Sequence, residues 1–235
     1  MNPLPQVEEF RRIYIESCNQ QRISQSQELL HDLDKAKTEF THLSTSGHIR
    51  YIGSIGISPL AHALAANITI THLDLGRSRL GNDGCRVVAA VLRNHRSIAV
   101  LHLDGNGIGD AGGAFLSEAL GYNRVLRELS LRENALKSGG VNILTALQGN
   151  FALRRLDLSS NQLARECWQA LAETLAVNRA LVSLNLANNK LGSARFELVV
   201  EALKRNTTLR ALGKPRNSYP EPTKYSTPYS DHFQI

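Results

Sequence analysis

The sequence predicts an α/β solenoid, because one pattern recurs five times between residues 70 and 208. Each unit approximates L-x-x-L-x-L-x-x-N-x-L and then becomes rich in alanine and leucine. A single strand and a single helix cannot enclose a core, whereas stacked units can. The units begin 28, 28, 27 and 28 residues apart, at Ile70, Ile98, Leu126, Leu153 and Leu181.

The first half of each unit is predicted to be a short strand with one buried face. Its leucines alternate with polar residues, and this period of two places them on the same side of a strand. The pairs are Leu73/Leu75, Leu101/Leu103, Leu129/Leu131, Leu156/Leu158 and Leu184/Leu186. We expect the residue three places later to bond backbone groups in the turn of the adjacent unit through a buried amide. These residues are Asn106, Asn134, Asn161 and Asn189, with Ser78 in the first unit.

The second half of each unit is predicted to be helical. Apolar residues four apart share one helix face, and such pairs are Val88/Leu92, Leu116/Leu120, Leu171/Leu175 and Val199/Leu203. We expect an asparagine to end the helix in four places, because asparagine tolerates the left-handed conformation found at helix ends. These asparagines are Asn123, Asn150, Asn178 and Asn206.

The 28-residue spacing and the L-x-x-L-x-L-x-x-N-x-L pattern resemble leucine-rich repeats of the ribonuclease-inhibitor-like class. The resemblance covers residues 70–208 well and the rest of the chain poorly. It implies a curved parallel sheet on the concave side of the solenoid and helices on the convex side.

Three segments are expected. Residues 1–69 hold two weaker echoes of the strand motif, from Phe10 and Phe40, and form either degenerate repeats or a helical cap. Residues 70–208 hold five repeats, and residues 209–235 form a cap and an extended tail whose prolines disfavour a helix or central strand. The tail is interpreted as a docking peptide or as a disordered terminus. Its candidate partner-binding aromatics are Tyr219, Tyr225, Tyr229 and Phe233.

Composition excludes several classes of protein. The net charge of +6 is too dilute to indicate nucleic-acid binding by itself. No stretch approaches the roughly 20 apolar residues of a membrane helix, and the N-terminus lacks the pattern of a secretory signal. Cys18, Cys85 and Cys167 fit neither a disulfide framework nor a zinc motif, so we expect reduced, buried thiols in a cytoplasmic protein.

The outward positions of the strands are predicted to form a partner-binding surface. They carry charges of both signs and no aromatic residue, and arginine is a frequent anchor at protein interfaces. Because adjacent strands lie about 4.8 Å apart, we expect Asp104 to face Arg132 and Glu128 to face Arg155. The candidate binding residues are Arg77, His102, Asp104, Arg132, Arg154 and Arg155.

Two sequence patterns suggest a nucleotide-binding site and a metal site, but both have simpler structural explanations. Residues 107–112 fit the G-x-G-x-x-G of dinucleotide sites, but the repeat places these glycines at turn and helix-start positions. Four residues of the types that bind metals are better explained as a solvated polar patch. Neighbouring strand positions place side chains side by side, and nothing fixes them in the tetrahedral geometry that a metal site needs. These residues are His72, Asp74, His102 and Asp104. We find no hydrolase, metalloprotease or P-loop motif and expect no catalytic residue, cofactor or metal.

The sequence predicts a non-catalytic scaffold that binds protein, as a structural subunit of a larger assembly. Resemblance to repeats in radial-spoke and dynein-regulatory subunits implies a cytoskeletal, ciliary or flagellar setting. One alternative is a regulator resembling the Ran GTPase-activating proteins, although that family has more repeats and an acidic region where this tail is basic. Another is a recognition module resembling the ribonuclease inhibitor or the NOD-like receptors. We expect no small-molecule, membrane or nucleic-acid partner.

Overall fold

The computed structural model describes residues 3–36, 40–46, 52–189, 196–213 and 232–234. Helices in these ranges are α1 (Pro3–Gln21), α2 (Gln27–Lys35), α3 (Gly53–Ala66), α4 (Gly81–Asn94), α5 (Asp110–Tyr122), α6 (Gly139–Ala146), α7 (Cys167–Val177) and α8 (Phe196–Leu203). Strands are β1 (His42–Ser44), β2 (His72–Asp74), β3 (Val100–His102), β4 (Glu128–Ser130), β5 (Arg155–Asp157), β6 (Ser183–Asn185), β7 (Ala211–Gly213) and β8 (His232–Gln234). None of these helices is long and apolar enough to cross a membrane.

The described strands form one sheet in the order of the chain, from β1 to β8. Strands β1 to β7 are parallel, and each pairs with the next through a connection that contains one helix. Strand β8 pairs antiparallel with β7 and covers its free edge. This arrangement confirms the predicted α/β solenoid, with the sheet on the concave side and the helices on the convex side.

One leucine from the middle of each parallel strand lies in register with the leucine of the next strand. All seven are at most 5% exposed. Burying a leucine side chain stabilises a fold by about 1.5–3 kcal/mol relative to leaving it exposed, so this row makes the core continuous between units. The leucine ladder consists of Leu43, Leu73, Leu101, Leu129, Leu156, Leu184 and Leu212.

The asparagine after each strand ties its unit to the preceding one. Asn106 Oδ1 accepts hydrogen bonds from the backbone N–H groups of Ser78 (3.0 Å) and Leu80 (3.2 Å). Asn106 Nδ2 donates to the carbonyl of Leu75 at 2.8 Å. This confirms the role predicted for the buried amide. The same kind of bridge recurs at Asn134, Asn161 and Asn189.

The asparagines at the helix ends form a second ladder, but the left-handed conformation expected for them is wrong. Asn123 has φ −70° and ψ 132°, and Asn178 has φ −71° and ψ 129°, which is extended backbone. Asn123 Nδ2 donates to the Leu92 carbonyl at 2.7 Å, while Oδ1 accepts from the backbone of Leu126 at 2.8 Å. Because the side chain closes the turn, no left-handed residue is required. Asn150, Asn178 and Asn206 make equivalent bonds.

The N-terminal segment differs from the repeats that follow. The motif echo from Phe10 lies in α1 and is not a strand, because Phe10, Tyr14 and Cys18 are four apart and bury one helix face. The Phe40 echo leads into strand β1, and the two phenylalanine rings pack edge to face with centroids 5.1 Å apart. The division of the chain at residue 69 stays a prediction.

The three cysteines are buried and unpaired, as expected. Burial raises the pKa of the Cys85 and Cys167 thiols to about 12, which keeps them protonated and unreactive. Trp168 is 1% exposed, so it is a full member of the core rather than a partly buried residue.

His95 occupies the position of the helix-ending asparagine in its unit. Its Nδ1 accepts from the backbone N–H groups of Ser97 (3.3 Å) and Ile98 (3.2 Å), and its Nε2 lies 3.0 Å from the Leu64 carbonyl. These contacts require a neutral imidazole with its proton on Nε2. Burial lowers the pKa of His95, although the bond to Leu64 opposes that shift.

Replacing Asn134 with alanine is expected to destabilise the chain by about 2–6 kcal/mol. The buried N–H groups of Asn106 and Ile108 would lose their acceptor, and each such loss costs about 1–3 kcal/mol. Urea unfolding followed by circular dichroism measures the effect. Asn142→Ala, at an exposed position of α6, is the control and should cost nothing. Equal unfolding midpoints for the two variants would contradict the ladder.

Acidification is expected to destabilise the wild-type chain more than the His95→Asn variant. The folded-state pKa of His95 is lowered, so its stabilisation is complete above the ordinary histidine pKa of about 6.5. That stabilisation is lost as the pH falls through the folded-state pKa, because the unfolded chain binds the proton first. Free energies of unfolding at about pH 7.5 and 5.5 compare the two chains. An identical pH dependence would show that His95 is not held neutral.

Candidate protein-binding surface

A polar trough runs along the concave face of the sheet. It extends across strands β3 to β7, from His102 to Gly213, and has a volume of about 510 Å³. Outward-facing side chains of the strands form its floor, while the leucine ladder lies on the buried side of the same strands. Of the predicted binding residues, His102, Asp104 and Arg155 line this trough, and Arg77 and Arg132 line an adjoining pocket.

Glu128 lies at the centre of the charged part of the trough. It accepts a hydrogen bond from Arg155 Nε, which confirms the predicted pair, and lies 3.4 Å from His102 Nε2. Burial alone would raise the pKa of Glu128, but the hydrogen bonds from Arg155 and His102 lower it below the ordinary value. The carboxylate therefore stays ionised and fixes the orientation of both neighbours.

Asp104 faces Arg132, as predicted, but it bonds the Arg132 backbone and forms no ion pair with the guanidinium. Asp104 Oδ1 instead accepts from the Ser130 hydroxyl and from the backbone N–H of Arg132, at 3.0 Å for the latter. Asp104 stands just after the end of strand β3, where the turn of the next unit brings a backbone amide closer than the guanidinium. The Arg132 guanidinium lies 2.8 Å from Glu133.

Arg77 also contacts Glu133, at 3.2 Å, although the two residues belong to units separated by another repeat. The intervening position is Gly105, and a Cβ atom there would lie 3.1 Å from Arg77 Cγ. Arg77, Gly105 and Glu133 have φ values of 55°, 62° and 57°, so the turn requires the left-handed conformation in each unit. Gly105 supplies that conformation and the space for Arg77.

The four residues considered as metal ligands do not converge on one point. His72 stacks against His42, with ring centroids 4.1 Å apart, and burial and the His42 ring lower its pKa. Asp74 accepts hydrogen bonds from a neighbouring hydroxyl and a backbone amide, while His102 and Asp104 make the contacts described above. Across the described part of the chain, no group of three or more His, Cys, Asp and Glu side chains is placed to hold a metal.

Three amide groups of the G-x-G-x-x-G segment, those of Ile108, Gly109 and Gly112, donate to asparagine side chains. Asn82 Oδ1 accepts from the backbone N–H groups of Gly109 (2.8 Å) and Gly112 (3.0 Å). A Cβ atom on Gly112 would lie 2.4 Å from Ile108 Cγ2, so this glycine allows close packing at the start of α5. The interpretation as turn and packing residues is confirmed.

Arg154 is not on the concave face, where it was predicted. Its side chain donates from Nη1 to the Ala180 carbonyl at 2.9 Å, at the edge where helices lead into strands. Alternation explains the difference, because Arg154 immediately precedes Arg155, which does face the trough. The same edge carries Arg127 and Arg210, which a column-by-column alignment of the loops would have revealed.

Most of the C-terminal tail lies outside the described residues. This includes the predicted docking residues Tyr219, Tyr225 and Tyr229. Phe233 belongs to β8, where its backbone is in register with Leu212 of β7. A docking role for these aromatics stays a prediction.

Replacing Gly105 with alanine is expected to destabilise the chain by about 1–2 kcal/mol, the cost of a left-handed conformation for a residue with a Cβ atom. The change also crowds Arg77. Gly121→Ala, in an open position of α5, is the matched control and should be neutral or slightly stabilising. Thermal unfolding measures both, and a Gly105→Ala chain as stable as the control would contradict the geometry.

Comparison with known proteins identifies the repeat. Residues 66–89 and 94–117 match the family model described as Leucine Rich repeat. The human NACHT, LRR and PYD domains-containing protein 5 is 34% identical over 131 residues, which are 54% of this chain and 11% of that protein. The chicken (Gallus gallus) Leucine-rich repeat-containing protein 45 is 34% identical over 91 residues, or 38% and 14% of the two chains. The chain thus spans about a tenth of the length of these curated relatives.

Solved structures share the fold at low sequence identity. The C-terminal domain of tropomodulin from Caenorhabditis elegans has a TM-score of 0.55 and 15% identity, over 64% of this chain and 92% of that one. Leiomodin-1 actin-binding site 2 has a TM-score of 0.50 and 22% identity, over 57% and 79%. These likenesses concern the fold alone. Together with the ladders described above, the matches show that the repeating units of this chain are leucine-rich repeats.

Proposed function

We propose that this chain is a non-catalytic scaffold that binds a protein partner in its concave trough. One observation carries the proposal, namely that strands β1 to β6 each bury a leucine on one face and present polar side chains on the other. Fixed charges on a rigid curved surface favour specific protein recognition. Similarity to leucine-rich repeat proteins supports a protein-interaction role.

The polar groups of the trough are held in place before any partner arrives. Asp157 accepts from Asn185 Nδ2 at 2.9 Å and from the backbone N–H of Ser159 at 2.7 Å. Glu128 holds Arg155 in the same way. Side chains already fixed lose little rotamer entropy on binding, so the trough suits a partner with complementary charged and amide groups.

The proposal includes the setting expected from the repeats, a structural subunit of a cytoplasmic, cytoskeletal assembly such as a cilium. The resemblance to repeats of ciliary subunits supports this part. A GTPase-activating role would use Arg77 or Arg132, and both guanidiniums are instead paired with Glu133. That pairing favours a scaffold.

Replacing Arg155 with glutamate is expected to reduce partner capture at least about tenfold, since a carboxylate that faces a negative group of the partner across the interface costs several kcal/mol. The measurement is affinity purification of the full chain, followed by crosslinking mass spectrometry that maps each partner to a face. Wild-type crosslinks should fall on the concave strands.

Arg86→Glu, with the same charge change at an exposed position of α4, is the control and should retain the partner. Circular dichroism checks that both variants fold. Equal capture by the Arg155→Glu chain, or crosslinks confined to the convex helices, would overturn the proposal.

A further inference from the structure

Five of the six loops that lead from helices α3 to α8 into the next strand carry positive charge only, and the first of the six is uncharged. Six such loops in the described chain contain eight arginine and lysine residues and no aspartate or glutamate. Loops on the opposite edge, which lead from strand to helix, mix both signs and include Asp104, Glu133 and Glu166. We define the basic edge by six of the seven exposed arginines of the first set, Arg96, Arg124, Arg127, Arg154, Arg179 and Arg210. The seventh, Arg205, lies 4.0 Å from Glu201 of α8 and is not included.

Backbone hydrogen bonds align three of these arginines in one column. The N–H of Arg154 bonds the carbonyl of Arg127 at 2.8 Å, and the N–H of Val182 bonds the carbonyl of Arg154 at 2.8 Å. The N–H of Arg210 then bonds the carbonyl of Val182 at 2.8 Å. Neighbouring positions in this column are about 4.8 Å apart, so the guanidiniums form a compact row with one valine between them.

Several guanidiniums are positioned by carbonyl groups rather than by carboxylates. Arg127 Nη1 donates to the Ala152 carbonyl at 3.0 Å, Arg154 Nη1 to the Ala180 carbonyl at 2.9 Å, and Arg179 Nη1 to the Asn178 carbonyl at 3.0 Å. A guanidinium has five N–H donors, so most remain available. No carboxylate of the described residues forms an ion pair with any arginine of the basic edge.

Hydrogen bonds to backbone carbonyl groups do not explain the presence of every arginine on the basic edge. The side chains of Arg96 and Arg210 make no hydrogen bond or ion pair with any described residue. Exposed apolar side chains lie in the same loops or next to them, with Phe151 at 60%, Tyr122 at 59% and Val177 at 52% exposure. Arginine and tyrosine are enriched among the residues that dominate protein interfaces.

We propose that the basic edge is a second interaction surface and that it binds an acidic protein segment with apolar side chains among its carboxylates. Unpaired, prepositioned guanidiniums match carboxylates through bidentate hydrogen bonds. The exposed valines and Phe151 match apolar side chains, and this mixture favours protein over nucleic acid. The inference adds a surface to the proposed scaffold and does not require the trough to be occupied.

The test measures binding of two labelled probes to the full chain by fluorescence anisotropy. One probe is a synthetic peptide of repeated Glu-Glu-Leu-Phe, and the other is oligouridylate RNA. The edge variant is Arg127→Gln/Arg154→Gln/Arg210→Gln, in which glutamine keeps a donor for the carbonyl groups. The control is Arg22→Gln/Arg86→Gln/Arg165→Gln, with the same charge change at exposed sites elsewhere.

We expect the wild-type chain to bind the peptide more tightly than the RNA. The edge variant should weaken peptide binding about tenfold or more, and the control less than about twofold. Phe151→Ser should also weaken it, because the peptide supplies apolar contacts. Equal weakening by the control, tighter binding of RNA, or no effect of Phe151→Ser overturns the proposal.

A second variant distinguishes loss of peptide binding from loss of folding. Arg96→Gln/Arg210→Gln changes two side chains that make no hydrogen bond or ion pair with any described residue, and it should weaken peptide binding in the same direction. The outcomes also separate the two proposals. If Arg155→Glu retains its partners while the edge variant loses the peptide, the concave-face proposal fails and the basic edge stands.

Discussion

Hydrogen bonding by asparagine side chains between successive units is the interaction on which this fold depends. In each unit the strand and the helix are short, and each is followed by a turn. The buried backbone N–H and C=O groups of these turns would have no partner at either edge of the sheet without the asparagine side chains. Asn106 and its counterparts bond those groups on one edge, and Asn123 and its counterparts bond them on the other. The leucine ladder supplies the apolar stabilisation, but the amides fix the spacing at which leucines can meet.

This division of roles leaves two kinds of position exposed, the outward faces of the strands and the helix-to-strand loops. Leucines and asparagines use the inward positions, so outward strand positions carry ion pairs such as Glu128 with Arg155. The six arginines of the basic edge form no ion pair with a carboxylate of the described residues. These are the two surfaces at which we propose that the scaffold binds its partners, and one is polar and mixed in charge while the other is basic.

The sequence predicts the contacts that follow from the repeat period. It does not predict the contacts of side chains whose position depends on the local geometry of a turn. Repeat spacing places the five ladder leucines from Leu73 to Leu184, the inter-unit amide bonds and the Glu128–Arg155 pair, since lateral neighbours in parallel strands share a column. It does not predict Leu212, which lies in the segment interpreted as a cap and tail. It does not predict that Asp104 accepts a hydrogen bond from the backbone N–H of Arg132 rather than pairing with the Arg132 guanidinium. The prediction for Arg154 is wrong because this residue precedes the outward-facing Arg155. Its side chain therefore lies at the helix-to-strand edge of the sheet and not on the concave face.

Residue-resolved hydrogen exchange on the intact chain tests the central claim most directly. The informative amides are those bonded to asparagine side chains, at Leu80, Ile108, Leu136 and Leu163. If the ladder unites the units, these turn amides exchange as slowly as the amides of the strands. Exchange at the rate of an unstructured peptide, while the strands stay protected, would show that the side-chain amides do not hold successive units together.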